Sequence, residues 1–208
     1  DRFISIAEQT GAILGIGRWV LREACRTAAG WKQRHQVPLT IAVNLSARQL
    51  SSPQLIHDVR AALSDAGLDA SSLVLEMTET ALVQDAAVAA SKLALLRSLG
   101  VRLAIDDFGT GYSSLSYLRQ FPVDILKIDR SFVSTIVDQS RVPAIMRGLL
   151  DLGRTLQLEI VAEGIETDAQ LGQLRDEHCE LGQGYLFSPP MAADDAERLI
   201  GSLAPVRR

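Results

Sequence analysis

The chain has 208 residues, of which 47% are hydrophobic and 22% charged, and its net charge is −4 at pH 7. This composition is ordinary for a single globular domain with a full core. No apolar run reaches the roughly 18 residues of a membrane span. No signal-peptide pattern opens the chain and no basic block suits a DNA or RNA polymer. Two distant cysteines form neither a disulfide framework nor a zinc motif, so we expect a reducing, cytoplasmic setting.

Helix patterns open the chain, at residues 3–9 and 16–31, and the second of these places Trp19 and Trp31 in the core. Strand and helix patterns then alternate to the end of the chain. Strands are predicted at 40–46, 73–79, 102–106, 125–129, 159–166 and 181–187, the first of them buried on both faces. Helices are predicted at 54–66, 85–99, 114–120, 141–156, 168–176 and 194–203.

Apolar strands that alternate with amphipathic helices predict an α/β protein with parallel βα units and helices on both faces of the sheet. Two architectures fit this pattern, an open doubly wound sheet and a (βα)₈ TIM barrel. Six predicted strands are fewer than the eight of a barrel, but the glycine-rich phosphate-binding turn of dinucleotide folds is missing after the first strand. Because no repeat or linker interrupts the chain, we expect one domain over residues 1–208.

Each predicted strand carries a polar residue at or near its carboxyl end. In chain order these residues are Asn44, Glu76, Asp106 with Asp107, Lys127 with Asp129, Glu163 and Gln183. A barrel gathers the carboxyl ends of its strands at one mouth, whereas an open sheet spreads them along a line, so the set favours the barrel. Any single member has a simpler interpretation as a turn residue, including the Asp-Asp pair that precedes Gly109 and Gly111.

The carboxylates of Glu76, Asp106, Asp107 and Glu163, with the amide oxygen of Asn44, are hard oxygen ligands that suit Mg²⁺ or Mn²⁺. Such a set can hold two cations about 3.5–4 Å apart, which activate a water for in-line attack on a phosphodiester. The sequence therefore predicts metal-assisted hydrolysis.

Lys127 would lie beside the nucleophile, as a proton acceptor or as a group that stabilises hydroxide and phosphate. Gln183 would position the water or a ligand. A lysine on a barrel strand also suits Schiff-base chemistry, but that chemistry needs a neutral amine. The surrounding acids would keep Lys127 protonated, which favours the metal-assisted alternative.

These residues also match a known family, in order, from residue 1 to about residue 191. The matching blocks are Phe3-Ile4 with Ala7-Glu8, Val43-Asn44-Leu45-Ser46, Leu75-Glu76-Met77-Thr78-Glu79, Asp106-Asp107-Phe108-Gly109-Thr110-Gly111-Tyr112-Ser113-Ser114-Leu115, Leu126-Lys127-Ile128-Asp129-Arg130-Ser131-Phe132, Ala162-Glu163-Gly164-Ile165-Glu166-Thr167 and Gln183-Gly184-Tyr185. On these blocks the chain resembles the EAL-domain phosphodiesterases of bacterial cyclic di-GMP signalling.

The resemblance implies a modified TIM barrel, often a homodimer, that hydrolyses cyclic di-GMP to linear pGpG with Mg²⁺ or Mn²⁺. It implies that the metal ligands are Asn44, Glu76, Asp106, Asp107 and Glu163. It places Lys127 beside the catalytic water, with Asp107, Glu163 and Gln183 also in the catalytic set and Asp129 in support. It further implies that Glu79 and Glu166 hold the regulatory loop after Asp107, on which residues 112–114 lie.

The chain departs from the family at its start, where the Glu-Ala-Leu triplet and a substrate-contacting arginine are missing. The resemblance therefore implies that the first two barrel strands lie upstream of residue 1, and that a sensory or GGDEF-like domain can precede them. We expect weak or no hydrolysis by the piece alone and Mn²⁺-dependent turnover when the upstream segment is added. The main alternative is a non-catalytic cyclic di-GMP receptor, and a purely structural protein would not need acids at the strand ends.

Overall fold

The structure is a computed structural model that describes residues 2–83, 85–110, 120–136 and 142–203. Its helices are α1 (Arg2–Thr10), α2 (Ala12–His35), α3 (Ala47–Ser51), α4 (Leu55–Ala66), α5 (Glu79–Val83), α6 (Ala86–Ser98), α7 (Arg130–Val133), α8 (Ala144–Thr155), α9 (Asp168–Asp176) and α10 (Ala193–Leu203). Its strands are β1 (Ile41–Asn44), β2 (Leu73–Thr78), β3 (Arg102–Phe108), β4 (Ile125–Ile128), β5 (Glu159–Glu163) and β6 (Leu181–Gln183).

All six predicted strands are present, and they follow one another in chain order in one sheet. The strand–helix alternation predicted from the sequence is thus confirmed over the described residues. Residues 114–119 of one predicted helix, and the loop residues 112–114, lie outside them. None of the described helices is long and apolar enough to cross a membrane.

The chain divides into two compact units. The described residues of the first unit lie within Asp1–Leu75, Leu95–Arg102 and Pro190–Arg208. Those of the second unit lie within Glu76–Ala94 and Leu103–Pro189. In the first unit the long helix α2 packs against α1, α3, α4, β1 and α10. Its buried positions are Ile13, Gly17, Leu21, Cys25 and Ala28. Helix α2 approaches the side chain of Gln49 in α3 closely at Gly17, where a Cβ atom would overlap the Gln49 amide.

Two burial predictions for the first unit are wrong. Trp19 is 65% exposed, because it lies two residues from both Gly17 and Leu21 and so points away from the buried face of α2. Strand β1 is not buried on both faces, since Val43 is buried while Ala42 and Asn44 are exposed. Successive residues of a strand face opposite sides, so this apolar run buries only one of them.

In the second unit, β3, β4, β5 and β6 pair in parallel, and α8 packs against β5. The core beneath them includes Ile128, Val133, Met146, Leu150 and Ala162, all fully buried. Two short helices of this second unit, α5 and α7, were not predicted from the sequence, and they begin at the carboxyl ends of β2 and β4. Runs of four or five residues are too short to show a helical period, which explains why both were missed.

Candidate metal centre and active site

Lys127 lies in the middle of the apolar strand β4, and its side chain is only 6% exposed. Its Nζ atom is 2.9 Å from Oε2 of Glu76, 2.9 Å from Oδ1 of Asp106 and 2.7 Å from Oε1 of Glu163. The three carboxylates are themselves mostly buried, with 11–15% of each side chain exposed. The structure therefore brings together one cation and three acids contributed by β2, β3, β4 and β5.

The strand register explains why Lys127 meets Glu163. Lys127 pairs with Val161 across β4 and β5, and Glu163 lies two residues further along β5. Residues two apart on a strand share a face, so Val161 and Glu163 point to the same side of the sheet as Lys127. The sequence predicted that these strand ends would converge, and the parallel register confirms it for the second unit.

A β-bulge brings both adjacent aspartates toward this cluster. Ile105 pairs with Leu126 and Phe108 pairs with Ile128, so Asp106 and Asp107 together lie opposite the single residue Lys127. Neighbouring residues of a regular strand would face opposite sides, but a bulge redirects a side chain. Asp107 completes the redirection with a left-handed backbone, φ 53°, which few non-glycine residues adopt.

The result is a group of oxygen ligands that fits a divalent cation. One carboxylate oxygen from each of Asp106, Asp107 and Glu163 lies within 4.8 Å of the other two. Carboxylate oxygens in this number suit Mg²⁺ or Mn²⁺ better than zinc, which prefers nitrogen and sulfur. The donor set is therefore chemically suited to the cation that the sequence predicts.

Burial and charge set the protonation of the cluster. Desolvation raises the pKa of Glu76 and of Glu163, and the nearby Asp106 adds to this, while the hydrogen bond from Lys127 opposes it. For Lys127, burial alone favours the neutral amine, but hydrogen bonds to Glu163, Asp106 and Glu76 outweigh burial and raise its pKa. Lys127 is thus held as an ammonium ion, which disfavours the Schiff-base alternative.

The charge on Asp107 is affected by more than its own burial. Desolvation raises the pKa of Asp107, and the neighbouring carboxylates of Asp106 and Asp129 raise it further, whereas Lys127 and Arg130 lower it. A divalent cation bound by these acids would relieve that repulsion. Because the carboxylates outnumber the single ammonium ion of Lys127, the cluster is suited to a bound divalent cation.

The other predicted residues lie around this centre in the second unit. Asp129 caps the short helix α7, accepting a hydrogen bond from the backbone N–H of Ser131 at 2.9 Å. Gln183 is exposed and pairs in register with Glu163 at the carboxyl end of β6. Both therefore lie at the same strand ends as the lysine–carboxylate cluster, and the catalytic role of Gln183 and the supporting role of Asp129 stay predictions.

The two glutamates assigned to loop stabilisation have different settings. Glu79 is the first residue of α5, directly after β2. Glu166 is exposed, and its backbone N–H donates to Oε1 of Gln170 at 2.8 Å. Residues 112–114 of the loop they are expected to hold lie outside the described part of the chain. Asn44 is the last residue of β1, in the first unit, and its role as a ligand rests on the resemblance.

Sequence reasoning missed Gln170, a buried residue of α9 that links two elements near the site. Its Oε1 atom accepts from the N–H groups of Glu166 and Thr167, and its Nε2 atom donates to the carbonyl of Val133 in α7. A detectable signal was present, because Thr167 and Gln170 form the capping box of α9. The longer link from Gln170 to Val133 has no local pattern.

The fold and the site together define an α/β protein with an acidic, lysine-centred cluster at the carboxyl ends of parallel strands. Residues 1–190 match the EAL domain family, and the chain belongs to that family. It is 45% identical to the PaMucR phosphodiesterase solved in complex with c-di-GMP, with a TM-score of 0.88 over 94% of this chain and 79% of that one. The α/β fold class predicted from the sequence, a modified TIM barrel, is confirmed by this likeness.

Curated relatives are longer proteins. The chain is 48% identical over 191 residues to the cyclic di-GMP phosphodiesterase NbdA of Pseudomonas aeruginosa, covering 92% of this chain and 24% of NbdA. It is 50% identical over 192 residues to an uncharacterized signaling protein of Caulobacter vibrioides, covering 92% of this chain and 23% of that protein. The chain thus spans about a quarter of the length of these relatives.

Proposed function

We propose that this protein hydrolyses cyclic di-GMP to linear pGpG, using Mg²⁺ or Mn²⁺ held by its strand-end carboxylates. The observation that carries the proposal is the cluster in which Lys127 contacts three mostly buried carboxylates, while a carboxylate oxygen of Asp107 lies within 4.8 Å of oxygens of Asp106 and Glu163. The family supplies the substrate class, since PaMucR was solved with c-di-GMP and NbdA is named as a phosphodiesterase for it.

In the reaction, a water adds to phosphorus and the ring P–O bond to a ribose 3′ oxygen breaks, which opens the cyclic dinucleotide. A divalent cation, when bound, supplies an activated water and neutralises phosphate charge. Asp106, Asp107 and Glu163 would hold it, with Glu76 as a further ligand. Each of these acids must be ionised to act as a ligand, and binding therefore favours their deprotonated forms.

Lys127 acts in this proposal as a fixed positive charge. In the structure, hydrogen bonds to its carboxylate partners raise the pKa of Lys127 and favour the ammonium form, which would donate hydrogen bonds to the attacking oxygen or to the phosphate. Its three carboxylate partners hold it in place before substrate arrives. Gln183, which is exposed and pairs in register with Glu163, would orient a substrate group in this proposal.

The test is product analysis of cyclic di-GMP incubated with Mn²⁺, Mg²⁺ or a chelator. It is run on the 208-residue chain and on the same chain extended by the Glu-Ala-Leu segment that the resemblance predicts, and we expect turnover to be greater for the extended chain. Lys127→Met and Glu163→Gln should abolish the appearance of pGpG, while Glu180→Gln, a change at an exposed glutamate of the same unit, should not.

Two outcomes would contradict the proposal. Tight binding of cyclic di-GMP without cleavage by the extended chain, with either metal, would instead support a non-catalytic receptor. Absence of both binding and cleavage would reject the substrate class. The homodimer and the upstream sensory or GGDEF-like domain stay predictions, and light scattering with and without cyclic di-GMP tests the first of them.

A further inference from the structure

We infer that the short helix α7 (Arg130–Val133) is a positioning element that holds the strand ends of the metal centre in register. The inference rests on the proposed cation site and adds a role for residues outside it, namely Gly109, Arg130, Phe132 and Gly164. None of these residues belongs to the lysine–carboxylate cluster. All of them lie in the second unit.

The first contact joins α7 to the end of β5. Gly164, which directly follows the candidate ligand Glu163, has a left-handed backbone with φ 71°. A Cβ atom at this position would overlap the Cβ of Arg130 and lie 3.2 Å from its Cα atom. The backbone after Glu163 therefore rests directly on the first turn of α7, at a distance that only glycine permits.

The second contact joins α7 to the loop after β3. Gly109 lies two residues beyond the candidate ligand Asp107 and has φ 95°. A Cβ atom there would lie 2.7 Å from Cε2 and 2.8 Å from Cζ of Phe132. The ring of Phe132 thus forms a surface under the turn that follows the Asp106–Asp107 bulge.

The third and fourth contacts fix α7 itself. At its start, Asp129 of the β4 end caps the helix by accepting from the N–H of Ser131. At its end, the carbonyl of Val133 accepts a hydrogen bond from Gln170, which also holds the N–H groups of Glu166 and Thr167. The side chain of Val133 is fully buried in the core of the second unit.

These contacts converge on one four-residue helix from the three strand ends that carry Asp106 with Asp107, Lys127 and Glu163. A shift of α7 would therefore change the spacing of the carboxylates relative to one another and to Lys127. Residues that orient metal ligands through hydrogen bonds typically change metal affinity about 10–100-fold when mutated, and we expect an effect of similar size from the packing of α7. The two positive-φ glycines are the places where that contact is closest.

The experiment compares glycine-to-alanine variants at close-packed and open positions. Gly164→Ala and Gly109→Ala place a Cβ against α7, whereas Gly148→Ala in α8 and Gly172→Ala in α9 meet no atom within 4 Å. Mn²⁺ affinity is measured by electron paramagnetic resonance on protein shown to be folded by its circular dichroism. We expect Gly164→Ala and Gly109→Ala to weaken Mn²⁺ binding about tenfold or more, and the two control variants to leave it unchanged.

A paired substitution separates the contact with α7 from the backbone cost of alanine at positive φ. Arg130→Gly removes the Cβ that Gly164→Ala would strike, so adding Gly164→Ala to Arg130→Gly should cost less Mn²⁺ affinity than adding it to the wild-type protein. Phe132→Ala leaves both glycines in place and removes the surface under Gly109. It should weaken Mn²⁺ binding by itself, and it keeps the inference testable if an alanine variant fails to fold.

A readout without metal distinguishes failure of this inference from failure of the proposed function. In chelator, Gly164→Ala should shift the amide resonances of Asp107 and Gly109, which lie across α7 from the substitution. Gly109→Ala should likewise shift those of Glu163 and Gly164. Unchanged Mn²⁺ affinity in the folded variants, or amide shifts confined to residues next to the substitution, would overturn the inference, whether or not the protein cleaves cyclic di-GMP.

Discussion

Lys127 on β4 and Glu163 on β5 are joined by an ion pair of 2.7 Å between Nζ and Oε1, and both side chains are at least 85% buried. The same ammonium contacts Glu76 and Asp106 at 2.9 Å. One positive charge therefore neutralises part of a group of three negative charges. The consequences for stability, cation binding and catalysis can be measured separately.

Replacing Lys127 by Met should lower the turnover rate about 100-fold or more, because the variant lacks the fixed positive charge beside the phosphate. It should also destabilise the chain in chelator by about 3–5 kcal/mol, since three mostly buried carboxylates lose their counter-ion. Mn²⁺ should stabilise Lys127→Met more than it stabilises the wild-type protein, because the cation replaces the missing charge. Urea denaturation with chelator and with Mn²⁺ measures both effects.

The matched control is Glu180→Gln, which alters an exposed charge in the same unit. Equal stability of Lys127→Met and wild-type protein in chelator would contradict the importance of the ion pairs for folding. Full turnover by Lys127→Met would contradict the catalytic role of Lys127.

Substitutions at Asp107 separate the demands of its backbone from those of its carboxylate. Asparagine and glycine tolerate the left-handed conformation of this residue, whereas alanine is strained there by about 1 kcal/mol. We expect Asp107→Asn and Asp107→Gly to be as stable as the wild-type protein or more so, and Asp107→Ala to be less stable. All three should lose Mn²⁺ affinity, because each lacks the third carboxylate of the candidate site.

Denaturation midpoints and Mn²⁺ titrations provide the two measurements on the same samples. If Asp107→Ala were as stable as Asp107→Gly, the left-handed backbone would carry no cost. If any of the three variants bound Mn²⁺ as tightly as the wild-type protein, Asp107 would not be a ligand.

The capping box at the start of α9 should contribute to stability near the site. Thr167 accepts from the N–H of Gln170, and the Gln170 side chain accepts from the N–H of Thr167, so Thr167→Ala should cost about 1 kcal/mol. Gln170→Ala should cost more, because it also leaves the N–H of Glu166 and the carbonyl of Val133 without this partner. Gln54→Ala is a suitable control, since Gln54 precedes α4 without making a side-chain cap. A smaller loss for Gln170→Ala than for Thr167→Ala would contradict the link to α7.

The cap of α7 should give a pH-dependent contribution to stability. Burial alone would favour the protonated form of Asp129, but hydrogen bonds from Ser131 and from the amide of Arg130 outweigh it and lower the pKa of Asp129. A carboxyl whose pKa is lower in the folded state stabilises that state at pH values above its unfolded pKa of about 3.9. This stabilisation is lost as the pH falls through the pKa of the folded state. Asp129→Ala should therefore cost about 1 kcal/mol near pH 7 and progressively less below about pH 4.

Asp129→Asn is the matched comparison, because it keeps an oxygen acceptor for the cap and removes the titration. Its stability relative to Asp129→Ala should not change with pH in the acidic range. Urea denaturation between neutral and acidic pH provides the comparison, and a cost for Asp129→Ala that stayed constant down to about pH 3 would contradict the assignment.

The sequence by itself determined the alternation of strands and helices, the chemical types of the site residues and their place at or near strand ends. Polar residues at or near the carboxyl ends of apolar runs, such as Glu76, Asp106, Lys127 and Glu163, are local patterns, and a parallel fold must gather such ends along one edge of the sheet. The acids around Lys127 were also sufficient to predict that it stays protonated, in agreement with its raised pKa.

Only the tertiary structure decided how two adjacent aspartates reach one centre. Strand geometry would separate Asp106 and Asp107 onto opposite faces, and it is the bulge opposite Lys127 that turns both toward Glu163. The helix α7 and its contacts with Gly109 and Gly164 likewise depend on residues distant in sequence, which no local period encodes. The sequence specifies the side-chain types directly, but strand register and close packing depend on residues that come into contact only when the chain folds.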